Sequence, residues 1–221
     1  VNGQAGSALM RDETLAGSIL QAVVDAVNVP VTLKMRTGWD DDNRNAPRLA
    51  KIAEECGIQM VSIHGRTRCQ LYRGLADWDF IAEVKAAVRI PVVGNGDVVD
   101  EEDAETLLSR SGADGVMIGR GAYGRPWFLS QVAHYLRHSR KIPPPPLGAQ
   151  CAVLLRHYEG LLSHYGRAVG VRVARKHIAW YCRGLPGESE FRARVNRIDD
   201  ASSVVHEIKQ FYLPLADRVA A

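Results

Sequence analysis

The chain has 221 residues, 46% hydrophobic and 24% charged, with a formal net charge of +3. These values are ordinary for a soluble globular protein and allow one large domain, or a domain with an appendage. No apolar run approaches the ~18 residues of a membrane span, no signal peptide is visible, and the four scattered cysteines (Cys56, Cys69, Cys151, Cys182) form no C-x-x-C pair. That cysteine usage fits a reducing cytosol better than a disulfide framework or a zinc site.

In chain order, residues 13–27 predict a helix, with Leu15, Ile19, Val23 and Val27 at one-turn spacing. A strand over 31–35 leads to a helix over 46–56, with Leu49, Ile52, Ala53 and Cys56 on one face and Gly57 as its stop. A strand over 60–63 precedes a helix over 78–88 that buries Phe80, Ile81, Val84 and Val88. A strand over 91–93 follows, then a helix over 101–111 with Asp100 as N-cap and Gly112 as stop. The last strand spans 115–118 and precedes a helix from about Pro126 to Arg137, with the proline at or near its first turn. Prolines at 143–146 make a stiff break. Beyond it only helices are expected, over 148–165, 168–183, 188–195 and 200–219.

The strands are continuous apolar, β-branched runs, the pattern of parallel strands buried on both faces. Residues 26–31 are echoed by 87–92, and 57–66 by 112–120, as recurring βα units would be. The expected fold is α/β: residues 1–142 form the C-terminal half (strands 5–8) of a TIM (β/α)₈ barrel, 143–147 a Pro-rich linker, and 148–221 a small all-α helical domain. A doubly wound sheet is the other architecture such units favour. A half barrel leaves two open parallel edges, so the chain, which starts at Val1 rather than Met, is expected to be a fragment or to be completed by another polypeptide.

Four polar clusters directly follow the apolar, β-branched runs 31–33, 61–63, 92–93 and 116–118: Lys34-Met35-Arg36, His64-Gly65-Arg66-Thr67, Gly94-Asn95-Gly96-Asp97 and Gly119-Arg120-Gly121. All four would lie on the C-terminal rim, where barrels bind ligands. The two glycine turns suit phosphate, since glycine lets backbone N–H groups approach oxygen closely and the next helix N-terminus adds positive partial charge. Arg120 would add an ion pair. The alternative is two tight turns without a ligand. Lys34, a lysine within a β-run, needs a partner and either aims at the ligand or snorkels to the rim. His64 either donates to the same ligand or is a structural hydrogen-bonder. Arg36 and Arg66 would meet substrate phosphate or a base edge, or pair with loop acids.

Charge is uneven along the chain. Residues 1–146 hold 17 Lys and Arg against 18 Asp and Glu, whereas 167–197 hold 8 basic and 2 acidic residues. Arg172, Arg175 and Lys176 share a helix face, Trp180 lies one turn beyond Lys176, and Arg183, Arg192, Arg194 and Arg197 extend the positive surface. Arginine with aromatic side chains suits RNA. The alternative places Trp180 and Tyr181 in a core, with arginines that merely solvate the helix.

The ordered set Lys34-x-Arg36, Ile63-His64-Gly65-Arg66-Thr67, Gly94-Asn95-Gly96-Asp97, Gly119-Arg120-Gly121 and Arg175-Lys176-His177-x-x-Trp180-Tyr181 resembles the tRNA-dihydrouridine synthases, closest to the bacterial DusB branch, over essentially the whole chain. The resemblance implies an FMN-dependent barrel and a helical tRNA-binding domain in a cytoplasmic protein without membrane or metal partners. Lys34 and His64 would contact FMN. Asn95, Gly96, Asp97, Gly119 and Arg120 would hold its phosphate end. Arg36, Arg66, Arg172, Arg175, Lys176, His177, Trp180 and Arg183 would face tRNA. NADPH would reduce FMN, which passes hydride to C6 of a D-loop uridine while a cysteine protonates C5. In that family the cysteine lies in an Asn-x-Gly-Cys-Pro motif just ahead of the segment matching residues 1–9. No such motif occurs here, so no catalytic residue is expected in the chain, which alone would be inactive; Cys69, after the His64 loop, is a weak substitute. Two other readings remain: an RNA-binding module without catalysis, and an FMN oxidoreductase acting on a small molecule, like a dihydropyrimidine dehydrogenase barrel.

Overall fold

A computed structural model describes residues 5–220. Residues 1–4, the start of the segment expected to follow the cysteine motif, lie outside the described residues. A 3-10 turn (Gly6–Arg11) leads into α1 (Glu13–Ala26), whose first turn is capped by Asp12 accepting from Leu15 N–H. Strands and helices then alternate: β1 (Thr32–Arg36), α2 (Ala46–Glu55), β2 (Met60–His64), α3 (Trp78–Ala87), β3 (Val92–Asn95), α4 (Glu101–Ser111) and β4 (Gly115–Met117). The remaining helices are α5 (Phe128–His138), α6 (Leu147–Tyr165), α7 (Arg167–Tyr181), α8 (Glu188–Val195) and α9 (Ala201–Ala220). Each expected element forms, with small displacements at the ends. Pro126 stands ahead of α5 instead of in its first turn.

Local chemistry sets the boundaries. At α4, Asp100 accepts from Asp103 N–H while Asp103 accepts from the N–H groups of Asp100 and Val99, and Gly112 ends the helix at φ 62°. The four strands form one parallel sheet in the order β1-β2-β3-β4. A doubly wound sheet would reverse its strand order at a switch point, and this one does not. Leu33, Met35, Val61, Ile63 and Val92 pack against Leu49, Ala53, Phe80, Ile81 and Val84 of α2 and α3. Val61, Ile63 and Ile81 have no exposed surface, and burial of each contributes about 1.5–3 kcal/mol. The alternating residues form the other face of the sheet, where the polar side chains gather.

One face of α1 differs from expectation. Leu15, Ile19, Val23 and Val27 remain 39–44% exposed, while Ala16, Leu20 and Val24 join the core. The helix has two adjacent stripes at one-turn spacing, and periodicity alone does not say which one a neighbour covers.

Contacts divide the chain into two compact units. The first comprises the described residues to Gly121, with Leu136–Ser139; the second comprises Ala122–Tyr135 and the residues from Arg140 onward. The second unit packs α6, α7, α8 and α9 around Tyr158, Ile178, Phe191, Val204, Ile208 and Tyr212, with Phe191 and Phe211 stacked at 4.1 Å. The prolines at 143–146 do not mark the division. Residues 122–135 belong with the helices because Gly124 lies against the α7 backbone, where a Cβ would come within 2.2 Å of the Trp180 carbonyl oxygen, and because Trp127 meets Tyr181 edge-on at 6.1 Å.

The Tyr212 hydroxyl is buried and has no hydrogen-bond partner among the described residues. Burial pushes its pKa up. A buried hydroxyl without a partner costs about 1–3 kcal/mol, so Tyr212→Phe is expected to keep or raise the melting temperature. A fall of several degrees in a thermal melt would show that the hydroxyl is bonded.

Candidate functional site

The parallel register places Arg36 beside His64, His64 beside Asn95 and Asn95 beside Met117. Paired residues in a parallel sheet project from the same face about 4.8 Å apart, so Arg36, His64 and Asn95 stand in a row at the strand C-terminal ends. Lys34 lies one row lower, paired with Ser62.

A single guanidinium ties the loops above this row together. Arg66, with 3% of its side chain exposed, donates to Asp97 Oδ2 at 2.6 Å, Gly74 O at 2.7 Å and Arg73 O at 3.1 Å, and faces His64 Nε2 at 3.5 Å. Asp97 also accepts from Ala76 N–H at 2.7 Å. Burial alone would raise the Asp97 pKa, but the Arg66 hydrogen bond, the Ala76 N–H and the nearby cationic charge outweigh it and hold the carboxyl below its usual range. Arg36 is engaged in the same way: Nη1 donates to Thr67 O at 2.8 Å and Leu71 O at 2.9 Å, and its guanidinium lies 5.7 Å from the Tyr72 ring. Of the two alternatives for Arg36 and Arg66, the structure shows intramolecular partners: backbone carbonyls for both, and Asp97 for Arg66. Both hold the β2–α3 loop, because buried or half-buried guanidinium groups require several acceptors and backbone carbonyls supply them here.

Gly96, at φ 126°, makes room for the His64 ring: a Cβ there would stand 2.6 Å from Ala76 Cβ and 3.2 Å from His64 Cδ2. Its carbonyl accepts from Trp78 Nε1 at 3.0 Å. Asn95 donates through Nδ2 to Met117 O at 2.7 Å, which links β3 to β4. Arg120 is 53% exposed, 3.8 Å from Asp97 Oδ1 and 4.4 Å from the Tyr72 ring centroid. At Gly119 no atom lies within 4 Å of a would-be Cβ. Burial, then the charges of Arg36, Lys34 and Arg66, bring the His64 pKa down to about 4, with Asp97 opposing. Burial and then Arg36 lower the Lys34 pKa. Lys34, Arg36, His64, Asn95, Gly96, Asp97 and Arg120 thus form one neighbourhood. Its four cations, Lys34, Arg36, Arg66 and Arg120, face the Asp97 carboxylate, and Gly119 leaves open space at the end of β4. That donor set fits an anionic ligand with a phosphate. A cavity of about 320 Å³ opens among Leu9, Ile19, Leu33 and Lys34 and so shares Lys34 with this neighbourhood; the rest of its lining is mostly apolar. Cys69 is exposed in the loop after β2.

In the helical unit the basic residues separate into two groups. Arg175 donates to Asp199 at 2.8 Å and to Ile198 O at 3.1 Å, binding α7 to the segment ahead of α9. Arg172, Lys176 and Arg183 are exposed and have no carboxylate within ion-pair distance among the described residues. Arg194 pairs with Glu207 and Arg192 with Glu188. Tyr181 is buried, but Trp180 is only half-buried and stacks on the exposed Tyr123 ring at 4.1 Å. His177 sits between His157 and Trp180 at 4.9 and 5.0 Å; burial, then His157 and Lys176, lower its pKa. Among the described residues no group of three or more His, Cys, Asp or Glu is placed to hold a metal ion.

Sequence reasoning missed Tyr72, Asp77, Trp78 and Tyr123. Tyr72 and Tyr123 are solvent-exposed rings beside glycines, a usable signal; Asp77, which caps α3 and pairs with Arg44 at 2.8 Å, is recognisable only as an N-cap.

His64 links the site to stability. Its pKa falls from 6.5 to about 4 on folding, so the unfolded chain binds the extra proton between those values. The stabilisation is complete above pH 6.5 and disappears as pH falls toward 4, a loss on the order of 2–3 kcal/mol. His64→Asn is expected to show a shallower fall in melting temperature from pH 6.5 to 4.5 than the parent. Parallel curves would contradict a neutral buried His64.

A family model described as "Dihydrouridine synthase (Dus)" matches residues 1–216. A probable tRNA-dihydrouridine synthase of Rickettsia prowazekii (strain Madrid E) is 54% identical over 217 residues, covering 98% of this chain and 66% of that protein. The tRNA-dihydrouridine synthase B of Pseudomonas aeruginosa is 50% identical over 211 residues, covering 96% of this chain and 64% of that protein. The chain spans just under two thirds of the length of these curated relatives. A mandelate oxidase structure aligns over 98% of this chain and 71% of its own at 17% identity, but its TM-score of 0.31 carries no argument. The family match and these relatives cover nearly the whole chain, and the chain belongs to the dihydrouridine synthase family, DusB-like branch.

Proposed function

We propose that this chain supplies the FMN-binding rim and the tRNA-binding face of a tRNA-dihydrouridine synthase. Its sheet is strands 5–8 of a (β/α)₈ barrel completed by a further half-barrel, and its C-terminal helices are a tRNA-binding domain. The observation that carries this reading is the row Arg36, His64 and Asn95 beside the Gly94–Asp97 turn, in a chain of this family. When bound, FMN reduced by NADPH would supply the hydride to C6 of a D-loop uridine, and a proton delivered to C5 would complete saturation of the C5–C6 bond.

Lys34 would place a cation beside the flavin ring, and His64 would hydrogen-bond the same group. Backbone N–H groups at Gly96, Asp97, Gly119 and Arg120, with the Arg120 guanidinium, hold the phosphate. The Asp97 carboxylate, already bonded to Arg66, contributes by fixing the turn. Asn95 keeps its side-chain carbonyl for the ligand, since its amide N–H bonds Met117. Arg172, Lys176 and Arg183 pair with tRNA phosphates, while the Trp180–Tyr123 stack and His177 offer ring surface to a base. Arg175 acts indirectly by fixing α7. No cysteine here stands in an Asn-x-Gly-Cys-Pro motif, so we assign no proton donor to these residues. All four cysteines are free thiols, in keeping with a cytoplasmic setting.

The parent protein is expected to purify with flavin and to form dihydrouridine in tRNA that lacks it. Flavin without tRNA turnover would favour a small-molecule oxidoreductase; tRNA binding without flavin would favour an RNA-binding module. Lys34→Ala should lower flavin affinity or turnover, and retention of both would remove its role. Arg172→Glu with Lys176→Glu is expected to weaken tRNA binding and to reduce the slope of log affinity against log salt by about 1–2. Unchanged affinity would take that face out of the interface.

A further inference from the structure

We infer that Arg66 is a positioning residue that holds His64 as its Nδ1–H tautomer, so that the site presents a fixed hydrogen-bond donor between Arg36 and Asn95. A guanidinium has five N–H donors and no acceptor. Arg66 Nη1 faces His64 Nε2 at 3.5 Å, so a proton on Nε2 would point at another N–H. The arrangement is satisfied only if Nε2 accepts and the ring proton sits on Nδ1. Arg66 cannot swing away, since its other contacts are Asp97 Oδ2 and the carbonyls of Gly74 and Arg73.

Packing fixes the ring as well. The Cδ2–Nε2 edge lies against Gly96, where a Cβ would be 3.2 Å from Cδ2 and 3.6 Å from Nε2. Nδ1 is on the opposite edge and has no hydrogen-bond partner among the described residues. The charged and titratable groups facing the ring are Lys34, Arg36, Arg66 and Asp97, with Tyr72 at 6.2 Å between ring centroids. Three cations against one carboxylate oppose a second proton. Toward a ligand, neutral His64 thus offers Nδ1–H as a donor and no lone pair, since Nε2 is turned to Arg66. It selects a ligand atom with a lone pair, a carbonyl oxygen or an unprotonated ring nitrogen, and disfavours an N–H or O–H at that point.

The identity of that ligand rests on the flavin reading above, but the tautomer does not, and the test separates them. Two-bond ¹H–¹⁵N correlation spectra of the parent protein, stripped of ligand, at pH 7.5, with the His64 signals assigned by loss in His64→Gln, are expected to show Nδ1 protonated, Nε2 bare, and no titration down to about pH 5. In Arg66→Met the same signals should move toward a tautomer mixture and begin to titrate at higher pH. Arg66→Lys, which keeps the charge without the planar fork, should stay neutral yet lose the single tautomer. Nε2–H in the parent chain overturns the inference even if Arg66→Met does not fold, and so does an unchanged spectrum in a folded Arg66→Met. A colourless parent protein with the Nδ1–H spectrum would instead remove the flavin reading and leave the tautomer standing.

Discussion

The loops at the strand C-terminal ends depend on one buried cation. Arg66 leaves β2 just after His64 and turns into a space closed by residues 73–77 and by the Gly96-Asp97 turn. A guanidinium with 3% exposure is tolerable only because its charge meets Asp97 and its remaining N–H groups meet carbonyls. Loss of one partner from such a buried pair costs about 3–5 kcal/mol, since the other charge is stranded. The left-handed Asp97 backbone, φ 58°, is held by the same contacts. One ion pair therefore sets the loop, the turn and the edge against which His64 packs.

The second constraint is parallel pairing. Each strand sends alternate residues to opposite faces, and the register from β1 to β4 is continuous. The apolar partners of Leu33, Met35, Val61 and Ile63 choose the helix-covered face, and the remaining positions are delivered to the other face in rows. Arg36, His64 and Asn95 become neighbours though they are about thirty residues apart in the chain. Three positive groups are thereby gathered around one imidazole. Their mutual repulsion is the electrostatic condition that a negatively charged ligand would relieve.

The helical unit treats its cations differently. Acids on neighbouring segments neutralise Arg175 and Arg194 through Asp199 and Glu207, and Arg192 pairs with Glu188 one turn earlier in α8. Arg172, Lys176 and Arg183 remain exposed beside a stacked tryptophan and tyrosine. Only the second group keeps the hydration and freedom needed to exchange water for phosphate; the first serves to hold α7 and α8 in place.

Much of this was legible in the linear pattern. The elements, the capping of α4 and the position of each polar cluster at a strand end follow from period, cap chemistry and glycine placement, which are local properties. The ordered motifs carried the family. Tertiary structure decided what locality cannot reach: which stripe of α1 is covered, that Arg36 and Arg66 face inward to carbonyls, that Arg175 turns to Asp199, and that residues 122–135 join the helices. The physical reason is the same in each case. A side chain's partner is set by distant residues that packing brings within a few ångströms, and a free cation and a fully bonded one are written with the same letter.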